Sequence, residues 1–145
     1  MSTPRLVGIN HVALEVEDVE DAVAFWRRVF GEIEVAYEPG AAFIDLGDQF
    51  VALMGPDAAP EDRERHFGLV VDDKNAARGA LMAADAEILP GRRLDAHDPF
   101  GNRIQVVQYD QIQFKKSPEV LRAMALELTK TAAALEELRA KGIGQ

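Results

Sequence analysis

The sequence predicts an α+β fold in which two βαβββ modules pair into a curved mixed sheet around a cavity, with a helical extension at the C-terminus. Three observations carry this. First, Asn10-His11-Val12-Ala13-Leu14-Glu15-Val16-Glu17-Asp18 returns in altered form as Arg65-His66-Phe67-Gly68-Leu69-Val70-Val71-Asp72-Asp73. The two histidines are 55 positions apart, and so are Asp18 and Asp73. Second, later landmarks repeat as well: Glu32-Ile33 against Glu87-Ile88, and the turn Pro39-Gly40 against Pro90-Gly91. Third, the pattern stops near Lys115, after which leucines recur at helical spacing. A four-stranded sheet covered by one helix leaves its other face bare. Two such sheets side by side can curve around that bare face and enclose a hollow.

In chain order, Leu6 to Val16 reads as a strand, since His11, Ala13 and Glu15 alternate with Val12, Leu14 and Val16. Leu14 and Val16 are expected under a helix and His11 on the opposite face. Asp18 is an N-cap for a helix from about Val19 to Phe30, ended by Gly31. Ala22, Phe25, Trp26, Val29 and Phe30 form its expected inward stripe, so Phe25 and Trp26 read as core. Strands follow at Glu32 to Glu38, Ala41 to Leu46 and Gln49 to Met54, the last two joined through Gly47-Asp48. Gly55 to Arg65, with Pro56 and Pro60, is a linker.

The second module repeats this order. Arg65 to Val71 is a strand. Asp72 or Asp73 caps a helix to about Ala84, with Ala76, Ala77, Ala80, Leu81 and Ala84 inward. Ala86 to Leu89 is a short strand, and Arg92 to His97 with Asn102 to Tyr109 makes a hairpin through Asp98-Pro99-Phe100-Gly101. Module one is thus read as residues 5–55, the linker as 56–64 and module two as 65–110, within a domain of residues 1–112. The extension covers 116–142. Ser117 and Pro118 start it as N-cap and N1. Leu121, Met124, Leu128, Leu135 and Leu138 give an apolar seam that Thr131 interrupts, in one helix or two. The seam must lie on the domain or on a second copy, which leaves a homodimer open.

Composition narrows the function. A net charge of −9 and a pI of about 4.8 argue against binding nucleic acid or an anionic membrane, so the expected partner is a small-molecule ligand. With no cysteine, disulfides, thiolate metal sites and a cysteine nucleophile are excluded, in keeping with a cytoplasmic address. No apolar run approaches the ~20 residues a membrane span needs.

Taken together, Asn10-His11-Val12-Ala13-Leu14 with Asp18 and Phe25-Trp26, His66-Phe67-Gly68-Leu69-Val70 with Asp72-Asp73, and Asp98-Pro99-Phe100-Gly101-Asn102-Arg103-Ile104-Gln105 resemble the vicinal oxygen chelate superfamily. This is the glyoxalase/bleomycin-resistance/dioxygenase group. The resemblance spans residues 6 to 109. It implies a cavity that often holds one divalent metal (iron, nickel, zinc or manganese) and no nucleotide cofactor. The ligands are expected from the first and fourth strands of each module, which here are His11, Ala52, His66 and Gln105. The sequence departs from the family there. Ala52 cannot ligate, and Gln105 replaces a usual glutamate, so the centre keeps two imidazoles and an amide oxygen and neutralises none of the ion's charge. Glu15, on the face of His11, is the remaining carboxylate nearby. Alternation adds Phe50, Met54 and Arg103 to the cavity side. Arg92 and Arg93 could pair with an anionic ligand or simply be solvated. His97, at a hairpin end, reads as surface.

Two functions stay open from sequence. One is a metal-dependent lyase, isomerase or dioxygenase with a weakened two-histidine centre. The other is metal-free small-molecule binding of the antibiotic-sequestering kind.

Overall fold

The computed structural model describes residues 3–56, 62–97 and 101–144. The elements are β1 (Leu6–Glu15), α1 (Val19–Phe30), β2 (Val35–Glu38), β3 (Ala41–Asp45), β4 (Phe50–Met54), β5 (His66–Val71), α2 (Lys74–Ala83), β6 (Glu87–Ile88), β7 (Leu94–His97), β8 (Arg103–Gln108), α3 (Pro118–Ala123) and α4 (Ala132–Ala140), with a 3-10 turn at Tyr109–Gln111. The expected βαβββ order therefore occurs twice. All eight strands join one sheet in the order β2-β3-β4-β1-β5-β8-β7-β6. Within each module the first strand pairs parallel with the last, β1 with β4 and β5 with β8. The modules meet where β1 runs antiparallel to β5.

Local chemistry sets these elements as anticipated. Asp18 and Asp73 each accept a hydrogen bond from the backbone N–H three residues on, capping α1 and α2. Gly31 leaves α1 at φ +76°, a conformation that costs other residues a Cβ clash. The linker residues 57–61 and the tip of the last hairpin, 98–100, lie outside the described residues.

Three packing expectations are corrected. The inward stripe of α1 is Val19, Ala22, Val23 and Trp26, which pack with Ala42, Ile44 and Leu53. Phe25, Val29 and Phe30 are exposed. The stripe is rotated because α1 packs chiefly on β3 and β4. For the same reason Leu14, on the outer face of β1, is not covered by a helix and is exposed, whereas Val16 does join the α1 cluster. In α2, Ala76 and Ala77 are buried and Leu81 is packed, but Ala80 and Ala84 face solvent.

The extension is two helices. Ser117 caps α3 and Thr131 caps α4, with residues 124–131 between them. Its apolar residues are used on its own domain: Leu126 joins Val7, Val70, Tyr109 and Phe114 in a core that Leu121, Met124 and Leu128 flank, and Leu138 is fully buried. The seam that left a dimer open is therefore occupied internally. Lys130 fastens the turn into this segment. Its ammonium donates to the carbonyls of Tyr109, Ile112 and Phe114 and lies 3.5 Å from the centre of the Tyr109 ring. Lys141, just past α4, reaches back to Asp45 and to the Gly47 carbonyl at the β3–β4 turn. No described helix is long and apolar enough to cross a membrane.

Candidate functional site

Strand register assembles the site. Phe50 on β4, His11 on β1, Gly68 on β5, Gln105 on β8 and Asp95 on β7 are successive partners across five strands, so their side chains share one face. The repeat carries through in detail. Ala52 pairs with Ala13 as Gln105 pairs with Gly68, which makes Ala52 and Gln105 equivalent positions.

Gly68 lets the site close. His11 lies across it, and a Cβ at position 68 would stand 2.0 Å from His11 Nδ1 and 2.2 Å from Asn10 Oδ1. With that space free, the His11 ring stacks on Phe50 at 4.5 Å and meets His66 edge-on at 4.9 Å. A cavity of about 360 Å³ lies here, lined by His11, His66, Gln105, Phe50, Ala52 and Met54 together with Phe43 and Arg93. An adjoining hollow of about 550 Å³ shares Asn10, Phe43, Phe50, Arg93 and Ile112. It runs under the C-terminal segment to Phe114 and Lys141.

The two imidazoles are the chemical centre. Their Nε2 atoms are 2.9 Å apart. His66 Nδ1 is 2.7 Å from the Glu64 carbonyl, which can only accept, so the proton of neutral His66 sits on Nδ1 and its Nε2 is bare. His11 Nδ1 is 2.8 Å from Asn10 Oδ1, and the tautomer that donates to that oxygen leaves its Nε2 bare as well. Two lone pairs thus converge on one place. Burial is the main cause that holds the pKa of His11 at about 4, with help from His66 and Arg93. Burial lowers His66 too, against the opposing pull of its bond to Glu64. Both rings are neutral near pH 7. Two imidazole nitrogens bound side by side to one ion at about 2.1 Å each lie roughly 3 Å apart, so the pair fits a divalent metal. Gln105, opposite Gly68 on the same face, is buried with 5% of its surface exposed. Among the described residues, no three His, Asp or Glu side chains converge as a metal-binding group.

The remaining candidates separate. Glu15 faces Arg65 at 3.8 Å, and neither it nor Arg103 lines the two cavities described. Arg103 is bound to Asp95, while Arg92 and Arg93 stand at the cavity wall beside the histidines. His97 is corrected: it is buried, with Nδ1 2.8 Å from Glu87 and Nε2 2.8 Å from the Asp62 carbonyl, where it ties β7 to the linker. Sequence reasoning missed Asn10, Phe43, Asp95 and the contribution of the C-terminal segment. An acidic residue inside the apolar run Leu94-Asp95-Ala96 was the one signal available for Asp95.

The glyoxalase/bleomycin resistance protein/dioxygenase superfamily model matches residues 8–106. This chain belongs to that superfamily. Among curated proteins it is similar to the metallothiol transferase FosB of Shouchella clausii, 27% identical over 114 residues that cover 68% of this chain and 78% of FosB. Solved structures with the same fold include the Mn(II)-bound glyoxalase from Novosphingobium aromaticivorans (TM-score 0.58, 20% identity, 79% of this chain and 42% of that one). A Streptomyces coelicolor methylmalonyl-CoA epimerase is another (TM-score 0.53, 18% identity, 72% of this chain and 98% of that one).

Proposed function

We propose that this superfamily member is a divalent-metal-dependent enzyme acting on a small oxygenated anion. The observation that carries the reading is the pair of bare Nε2 atoms 2.9 Å apart, each fixed by an acceptor on its Nδ1. His11 and His66 hold the ion and Gln105 adds an amide oxygen. When bound, the metal supplies Lewis-acid polarisation of a substrate oxygen. All three ligands are neutral, so the centre keeps the ion's full charge and favours a substrate that brings its own negative charge. Arg93, at the same wall, offers a second cationic contact. Ala52 leaves open the position from which a fourth ligand would come, and that space falls to the substrate. Phe43 and Phe50 provide an aromatic wall and keep water from one side. Lyase or isomerase chemistry suits this set better than oxygen activation, which draws on an anionic ligand to support the oxidised metal. The names of the relatives, a metallothiol transferase and an Mn(II)-bound glyoxalase, support a metal in this fold.

The test is metal titration of dialysed protein with manganese, iron, nickel and zinc. About one ion per chain is expected, with binding lost in His11→Ala and in His66→Ala. Failure of all four metals to bind overturns the proposal. The aromatic wall favours one other reading, metal-free capture of a flat hydrophobic molecule. It predicts that ligand-induced thermal stabilisation survives a chelator, where the metal reading predicts its loss.

A further inference from the structure

We infer that Asp95 is the positioning residue of this centre: its Oδ1, without a partner in the metal-free chain, takes a hydrogen bond from Gln105 Nε2 when the ion binds and so turns the amide oxygen Oε1 toward it. This rests on the metal-centre reading above.

Asp95 and Gln105 are direct partners between β7 and β8. The backbone carbonyl of Asp95 is taken by Leu89 N–H at 2.8 Å, on the side away from β8. The pair is therefore of the non-hydrogen-bonded kind, in which facing side chains approach most closely. The Asp95 side chain is 7% exposed. Arg103 holds Oδ2 through Nε, at 3.0 Å, and through Nη2, while Oδ1 is buried with no partner. A carboxylate oxygen left so costs free energy unless a donor arrives, and native proteins rarely keep one without a use.

The use follows from what a glutamine ligand lacks. A carboxylate presents an oxygen whichever way it turns, whereas half the orientations of an amide present N–H groups, which repel a cation. A carboxylate beside the amide attracts only its NH₂ end, so the opposite end, the oxygen, faces outward. It also polarises the amide and makes Oε1 a better donor, as outer carboxylates do for metal-bound histidine. Arg103 fixes which oxygen of Asp95 is free for this. The other module serves as an internal control. Ala52 cannot ligate, and its β3 partner in the position of Asp95 is Phe43, which carries no charge.

The test has two parts. In wild-type protein labelled with ¹⁵N, zinc should move a Gln105 side-chain amide proton downfield and slow its exchange with water. An unchanged Gln105 resonance in zinc-loaded protein overturns the inference. Zinc affinity is then measured by chelator competition across a double-mutant cycle. Asp95→Asn should weaken binding 10- to 100-fold in the wild-type background. It should cost nothing, or strengthen binding, beside Gln105→Glu, whose carboxylate needs no orienting and is repelled by Asp95. Equal losses in both backgrounds, or none in the first, overturn the inference and leave the two-histidine centre standing. Wild-type protein that binds no metal overturns the centre and this inference together.

Discussion

Gly68 has no side chain because His11 occupies its place: the nearest ring atom would be 2.0 Å from a Cβ at position 68. The strand that supplies one histidine is thus cut away to seat the other. Gly68→Ala must push the His11 ring off both Phe50 and Asn10. We expect a loss of about 1–3 kcal/mol in stability, in the range of overpacked cores. Metal affinity should fall at least 10-fold. Urea unfolding and chelator competition on the same preparation check this, and wild-type behaviour in both contradicts the geometry.

His11 also sets how the protein meets acid. Its pKa is about 4 in the folded chain against an ordinary 6.5. Between those values the unfolded chain binds a proton that the folded chain does not, so stability falls as pH drops from about 6.5 to 4 and is fully present above that window. The loss is at most about 3.5 kcal/mol, at roughly 1.4 kcal/mol for each unit of depression. His11→Phe removes this share. The wild-type curve of unfolding free energy against pH should therefore be steeper than that of the variant over the window, and parallel curves refute the assignment.

Lys130 makes the C-terminal segment part of the domain. Lys130→Met keeps the stem and deletes the donor to three carbonyls. A loss of about 1–3 kcal/mol is expected. Proteolysis should then begin between Tyr109 and Ser117. A melting point and cleavage pattern like those of wild type would mean that the apolar contacts of Leu126 and Leu138 suffice alone.

The order of elements was legible in the sequence because duplication prints each landmark twice, and two weak signals in register are far stronger than one. The histidine pair was legible for the same reason. What escaped was whatever depends on how elements lie upon one another. Phe25, Val29 and Phe30 follow helical spacing, yet the helix is turned so that Val23 and Trp26 meet the sheet. Asp95 looked like one more charge in a chain with many. Only the pairing of β7 with β8 sets it opposite Gln105, and only burial leaves one of its oxygens bare. Lys130 and Lys141 act over more than fifteen and ninety residues respectively, distances at which no local pattern speaks.

The two halves of the cavity are built on one plan but furnished differently. Each module contributes one histidine, but module one adds the aromatic pair Phe43 and Phe50, while module two adds Gln105 and the cationic Arg92 and Arg93. A frame with internal two-fold symmetry would, left uniform, admit a guest in either of two opposed poses. This division removes that degeneracy: a guest with a greasy end and a charged end enters one way round.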